Sequence, residues 1–232
     1  MKLSSAVTRP ACALFLLALV SRLTAGYLPA GQPDVVALLA APPALGSAED
    51  KADMASTYAV FSAATPAETA LAQDENKLTI FHYAPALGSW FVAGRFPKTE
   101  ALFKKVEAEA KTVTDEAKKF WKRPRPYHVD PMRFPHAIEH EDPAHYSYPS
   151  GHSTRGTVFA LLLAELFPDK REALAPKGRE AGWLRVQGGV HFPTDVYAGR
   201  VLGQELARDF LLSPEFQADL AVVRAELAAA VK

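Results

Sequence analysis

The stretch Thr99 to Pro124, TEALFKKVEAEAKTVTDEAKKFWKRP, decides the fold class. Its apolar positions Leu102, Val106, Ala110, Val113, Ala117 and Phe120 step by three or four, the period of a helix that buries one face. Pro124 ends it, because the residue before a proline is pushed out of helical geometry. The same signals recur on either side. Upstream, Thr65-Pro66-Ala67-Glu68 supplies an N-cap, a proline at the first helical position and an acid three residues on, which predicts a capped helix running towards Leu78. Downstream, a helix beginning near Ser150 carries Val158, Phe159, Leu161, Leu162, Leu163 and Leu166. Its apolar run falls short of the roughly 20 residues that span a bilayer, so it reads as a buried core helix. Ser213-Pro214 divides the C-terminal region into two helices, serine capping and proline starting the second. Alternating strand-like runs are scarce and no repeat is found, so the sequence predicts an all-α domain.

Composition agrees with one globular domain. The chain has 232 residues, 49% hydrophobic and 22% charged, with a single cysteine. Basic and acidic residues number 26 each, so no general positive field exists to hold nucleic acid or anionic lipid, and any anion site must be local. The first 26 residues read as a signal peptide: Lys2 and Arg9 precede the apolar run Ala11 to Val20, and small residues follow at Thr24, Ala25 and Gly26. Cleavage there removes Lys2, Arg9 and Arg22, leaving 23 basic residues against 26 acidic, and also removes Cys12. A mature chain without cysteine has no disulfide, thiol nucleophile or thiolate metal site. Export to the periplasm or the extracellular space is expected. Residues 27–48, rich in Pro, Ala and Leu, are expected to form an extended lead-in to a helical domain over 49–232.

The stretch from Pro124 to Pro149 holds six prolines and four histidines and no long apolar run, which predicts a long surface connection. His136 and His140 have the four-residue spacing of a metal pair, with Glu139, Glu141 and Asp142 near. The proline-rich context argues against the helix that this spacing needs, so pocket or surface histidines are expected there and no metal.

Three clusters carry candidate chemistry. In KKFWKRPRPY, Lys118 and Arg125 are seven residues apart, two turns if the helix persists, so both cations can converge on one anion. The alternative is a solvated basic helix end, since Lys118, Lys119, Lys122 and Arg123 also suit a helix C-terminus. In YPSGHST, Ser150 and Gly151 fall at a helix start, where free N–H groups face an anion and the serine adds a hydroxyl; His152 at its edge can donate a proton. A capped helix with an incidental histidine is the plainer reading. In RVQGGVHFPTD, His191 and Asp195 are one helical turn apart, a spacing that brings a carboxylate to one ring nitrogen and leaves the other as base or nucleophile. Arg185, across Gly188 and Gly189, adds a third cation; a structural His–Asp pair is the alternative.

Together the clusters resemble the signature of the phosphatidic acid phosphatase type-2 superfamily, which holds the class A bacterial acid phosphatases, the lipid phosphatases and the vanadium haloperoxidases. Lys118, Arg125 and Pro126 match its first motif, Pro149, Ser150, Gly151 and His152 its second, and Arg185, His191 and Asp195 its third. Leu184 stands where a serine usually precedes the last arginine. A further similarity to the class A acid phosphatases lies in APPALGSAEDKAD, Ala41 to Asp53.

The resemblance implies a single-domain helical bundle and an acid phosphatase that hydrolyses phosphate monoesters. It implies that Lys118, Arg125, Arg185, Ser150 and Gly151 cradle the phosphoryl oxygens, and that His191 attacks phosphorus, Asp195 orients it and His152 protonates the leaving oxygen. It implies no metal or other cofactor. The partner expected is a small phosphomonoester, with no nucleic acid, no membrane span in the mature chain and a homo-oligomer left open. An integral-membrane lipid phosphatase needs apolar runs that this sequence lacks. A vanadate-dependent haloperoxidase shares the same cradle, and a non-catalytic phosphate-binding protein needs the cations without both His152 and His191–Asp195.

Overall fold

The computed structural model describes residues 26–138 and 145–230, and these are all-α, with no strand among them. The helices are α1 (Val35–Leu38), α2 (Ala48–Ala63), α3 (Pro66–Asp74), α4 (Ala84–Leu87), α5 (Pro97–Trp121), α6 (Pro126–Val129), α7 (Gly151–Leu166), α8 (Arg171–Gln187), α9 (Pro193–Leu212) and α10 (Pro214–Ala230). The signal peptide read in the sequence, with Cys12, lies outside the described residues apart from Gly26.

The sequence signals act locally as expected. Thr65 and Glu68 close a reciprocal capping box at α3, which ends at Asp74 and continues as a 3-10 turn over Glu75–Lys77. Helix α5 buries Leu102, Phe103, Val106, Ala110, Val113 and Ala117 along one face. Phe120 departs from that stripe and is 59% exposed. It sits in the last turn, where its ring meets the edge of Trp121 instead of a core neighbour. Ser213 caps α10 by accepting from the Phe216 N–H, with Pro214 at the first helical position.

Helix α7 has no exposed residue and lies at the centre, packed on α8, α9 and α5. Small residues set how close those helices come. A Cβ on Gly156 would stand 2.7 Å from the Ala181 Cβ, one on Gly182 2.8 Å from the Ser153 Oγ, and one on Gly199 2.5 Å from the Ser150 carbonyl oxygen. The first turn of α7 is therefore held against α8 and α9 at backbone contact. That turn carries Ser150, Gly151 and His152.

Within the stretch read as a lead-in, α1 is the one helix among the described residues, and Tyr27 is anchored rather than loose. Its ring packs edge-on against Phe210 and Phe216, and its hydroxyl donates to Asp219. The stretch from 124 to 138 corrects the expectation of a surface connection. Tyr127, Phe134 and Ala137 are buried with Val190 in a second cluster, against Met54 and Phe61 of α2. Too few and too irregularly spaced to read as an element, these side chains nonetheless pull the chain inward. His136 is exposed; His140, Glu139, Glu141 and Asp142 lie outside the described residues.

Candidate active site

His191 sits in the short turn between α8 and α9, whose path is fixed by Gly189 at φ 73° and by hydrogen bonds from the Val190 and His191 N–H groups to the Arg185 carbonyl. The ring is buried, with Nδ1 3.3 Å from Asp195 Oδ2 in the first turn of α9. Nδ1 also lies 3.5 Å from the Ser147 Oγ, whose hydroxyl donates to the same carboxylate oxygen. The Phe192 N–H donates to Asp195 Oδ2 at 2.8 Å, and Arg123 Nη1 donates to Oδ1 at 2.8 Å. Both oxygens of Asp195 are thus engaged, and Nε2 is the ring nitrogen left for chemistry.

The electrostatics follow from burial and neighbours. Burial works against the charge of Asp195, but the His191 hydrogen bond and Arg123 outweigh it and hold the carboxyl ionised, below its ordinary range. Burial and the Arg125 charge push His191 well down, against the pull of Asp195, so the ring is neutral at neutral pH. A neutral imidazole with Nδ1–H on a carboxylate presents a lone pair at Nε2.

His191 lines a cavity of about 500 Å³ together with Lys118, Arg125, Gly151 and His152. Helix α5 supplies one wall through Glu107, Ala110, Lys111, Thr114, Asp115 and Lys118, and α7 supplies the other through Gly151, His152, Thr154 and Arg155. Arg125 is held by donating from Nε to the His145 carbonyl at 3.0 Å and from Nη1 to the Val190 carbonyl at 3.2 Å. His152 is half-buried, and its Nε2 lies 3.0 Å from the Asn76 carbonyl oxygen, to which it donates. Nδ1 is then the nitrogen that exchanges a proton. Burial, then Arg185 and Arg155, push the His152 ring well below the ordinary histidine range.

Three residues singled out in the sequence stand behind the cavity wall. Asp195 backs His191. Ser150 is fully buried and caps α7, its Oγ accepting from the Ser153 N–H at 3.4 Å. Arg185 is fully buried, with Nη1 donating to Asn76 Oδ1 at 3.1 Å and Nη2 to the Ala72 carbonyl, so its charge reaches the cavity through His152. Leu184, in place of the usual serine, is a core residue.

The sequence reading missed Arg123. It lies one residue beyond Lys122, whose left-handed backbone (φ 51°) ends α5, and it points inward. Its guanidinium spans Asp195, the Thr194 Oγ1 at 2.7 Å and the Asp53 Oδ2 at 2.8 Å, and it lies 3.9 Å over the Phe192 ring. Burial opposes its charge, yet Asp195 and Asp53 raise its pKa further. Its position among Lys118, Lys119 and Lys122 made it look like one more helix-end cation. Ser147 and Asn76 were missed because nothing local marks them.

A protein-family comparison matches residues 107–211 to the PAP2 superfamily. That segment contains every motif residue named above. That stretch of the chain is a PAP2-superfamily segment. Among curated relatives, the chain is 37% identical over 168 residues to a non-specific acid phosphatase of Salmonella typhimurium, covering 69% of this chain and 64% of the relative. It is 40% identical over 121 residues to a non-specific acid phosphatase of Salmonella typhi, covering 50% and 46%. It is 32% identical over 148 residues to an acid phosphatase of Zymomonas mobilis, covering 62% and 55%. The aligned stretches thus span about half to two thirds of these relatives' length. No helix among the described residues is long and apolar enough to cross a membrane.

Proposed function

We propose that this chain is an exported acid phosphatase of the PAP2 type that hydrolyses small phosphate monoesters through a phosphohistidine at His191. The observation that carries the reading is the His191 ring itself. It is buried, neutral, tied by Nδ1 to an ionised Asp195, and placed on the wall of a cavity that also holds Lys118, Arg125 and His152.

Lys118 and Arg125 receive two of the phosphoryl oxygens, and the N–H groups at the start of α7 receive another, with the Ser150 hydroxyl and the Arg185 charge in support. These donors are fixed before substrate arrives, so they stabilise the five-coordinate phosphorus without rearranging. Nε2 of His191 attacks phosphorus as the bond to the leaving oxygen breaks. The imidazole becomes cationic, and its Nδ1–H stays hydrogen-bonded to the ionised Asp195, which stabilises it.

The leaving oxygen takes a proton from His152. In the cavity that ring is pushed towards neutrality by burial and then by Arg185 and Arg155, and a phosphate dianion beside it works in the opposite sense. Substrate therefore brings the charge that lets His152 hold the proton it must give. A water then attacks the phosphohistidine, giving a proton to His152, and phosphate leaves with both histidines restored.

The names of the relatives support the acid phosphatase reading, and the apolar run before Gly26 supports export. Phenol release from phenyl phosphate by the purified protein, with chelator present, tests it. Turnover by the wild type and none by His191→Ala is expected. No turnover by the wild type, or full turnover by the variant, would overturn it.

A further inference from the structure

Helix α2 lies outside the segment matched to the PAP2 superfamily, yet one of its side chains reaches the catalytic pair. Asp53 is buried. Its Oδ2 accepts from Arg123 Nη2 at 2.8 Å and from the Thr194 hydroxyl, and its Oδ1 accepts from the Thr194 N–H at 3.3 Å. Helix α9 starts at Pro193 with Phe192 at the N-cap, a side chain that can accept nothing. Two free N–H groups at its start are taken by Asp195, for Phe192, and by Asp53 from another helix, for Thr194. Arg123 is gripped from both sides, Nη1 on Asp195 and Nη2 on Asp53, with Asp50 Oδ1 3.4 Å from Nη2.

We propose that Asp53 is a positioning residue for the reaction: from α2 it caps the helix that carries Asp195 and holds Arg123 in register against that carboxylate. The proposal rests on the reading of His191 as nucleophile.

The charge balance gives the direction. Asp195 must stabilise a cationic His191, and Lys118 and Arg125 already oppose that cation from the cavity side. Arg123 would weaken Asp195 further if it stood alone. Asp53, with Asp50, offsets the guanidinium, so Arg123 orients Asp195 without cancelling it. Removing the Asp53 charge leaves Asp195 a poorer partner for the cation.

Asp53→Asn keeps the shape and one accepting oxygen while removing the charge. The expected result is a kcat lower by about tenfold or more, the scale of partners that orient a reacting group. KM should stay within about twofold, because Asp53 does not touch the cavity lined by Lys118, Arg125 and His152. Thr194→Val, which removes the hydroxyl between Arg123 and Asp53 and keeps every charge, should lower kcat in the same sense by less. It also serves if Asp53→Asn does not fold.

A reading independent of turnover is the Nδ1 proton resonance of His191 in histidine-labelled protein, which should move upfield in Asp53→Asn as its hydrogen bond to Asp195 weakens. Unchanged kcat, or an unchanged resonance, would overturn the proposal. So would a kcat loss that vanishes at a temperature where the variant is fully folded. If the wild type itself lacks turnover, the phosphatase reading fails, and the resonance still judges the role of Asp53.

Discussion

Gly156→Ala adds one methyl group at the crossing of α7 and α8, and the structure sets its cost. The new Cβ would stand 2.7 Å from the Ala181 Cβ and 2.9 Å from the Gly178 carbonyl oxygen. Carbon atoms rest about 3.5 to 4.0 Å apart, so the helices must separate by about 1 Å. Neither neighbour can swing away, since one is a methyl on a helix and the other is backbone. Tyr83 donates its hydroxyl to the Gly156 carbonyl at 2.6 Å, and the shift loosens that bond. Overpacking costs about 1 to 3 kcal/mol, here at the upper end, and the weakened hydrogen bond about 1 kcal/mol more. Alanine returns about 1 kcal/mol of helix propensity.

The net loss is about 2 to 3 kcal/mol, or about 4 to 12 °C in Tm for a domain of this size. His152 lies one turn away on the same helix, and a displacement of about 1 Å at a reacting group costs up to about 10²-fold in rate. Thermal and urea unfolding, with phenyl phosphate kinetics, measure both. Gly151→Ala is the comparison. A Cβ there would meet only the Thr114 Cγ2 at 3.8 Å, so its stability should equal or exceed that of the wild type. A Gly156→Ala protein that melts at or above the wild type would refute the packing argument.

Asp195→Asn should retain the fold, because Arg123 keeps Asp53 and Asp50, while kcat falls by about 10² to 10⁴; kinetics beside circular dichroism checks this. Stability should fall on acidification. His191 and His152 are held below the ordinary histidine range in the folded protein, so the unfolded chain binds protons that the folded one refuses as pH drops through about 6.5. Keeping the His191 ring neutral at pH 5 costs about 2 kcal/mol relative to pH 8, His152 adds in the same direction, and Asp195, held ionised, adds to the loss below about pH 4. Urea midpoints from pH 8 to 4 follow it, and saturating phosphate should recover part of the loss. Vanadate should inhibit competitively, since it takes the five-coordinate geometry of phosphorus in flight, and chelators should leave the rate unchanged; initial rates decide both.

Much of the fold was legible because its signals are local. The stripe on α5, the Thr65–Glu68 box and the Ser213-Pro214 start are patterns within one turn or one face, and helices obey them wherever they pack. The candidate site residues were local too: His191 and Asp195 share a turn, and Ser150, Gly151 and His152 start a helix. What joins them was not. Asp53 lies 142 positions before Asp195, and Arg123 meets both only after α2, α5 and α9 converge. The glycines of α7 and α8 gave no sign of their pairing, since a close crossing depends on what faces it. Phe120 fits the apolar period and is exposed all the same, because periodicity does not say where the partner helix ends.

The most direct test of the account is to trap the covalent intermediate. Wild-type protein mixed with phenyl phosphate, quenched within a turnover at alkaline pH and digested, should carry an acid-labile phosphoryl group on the peptide containing His191. His191→Ala protein should carry none, and Asp195→Asn protein should accumulate it more slowly. A phosphoryl group on another residue, or burst kinetics of phenol release without any phosphopeptide, would contradict the assignment of His191 as the nucleophile.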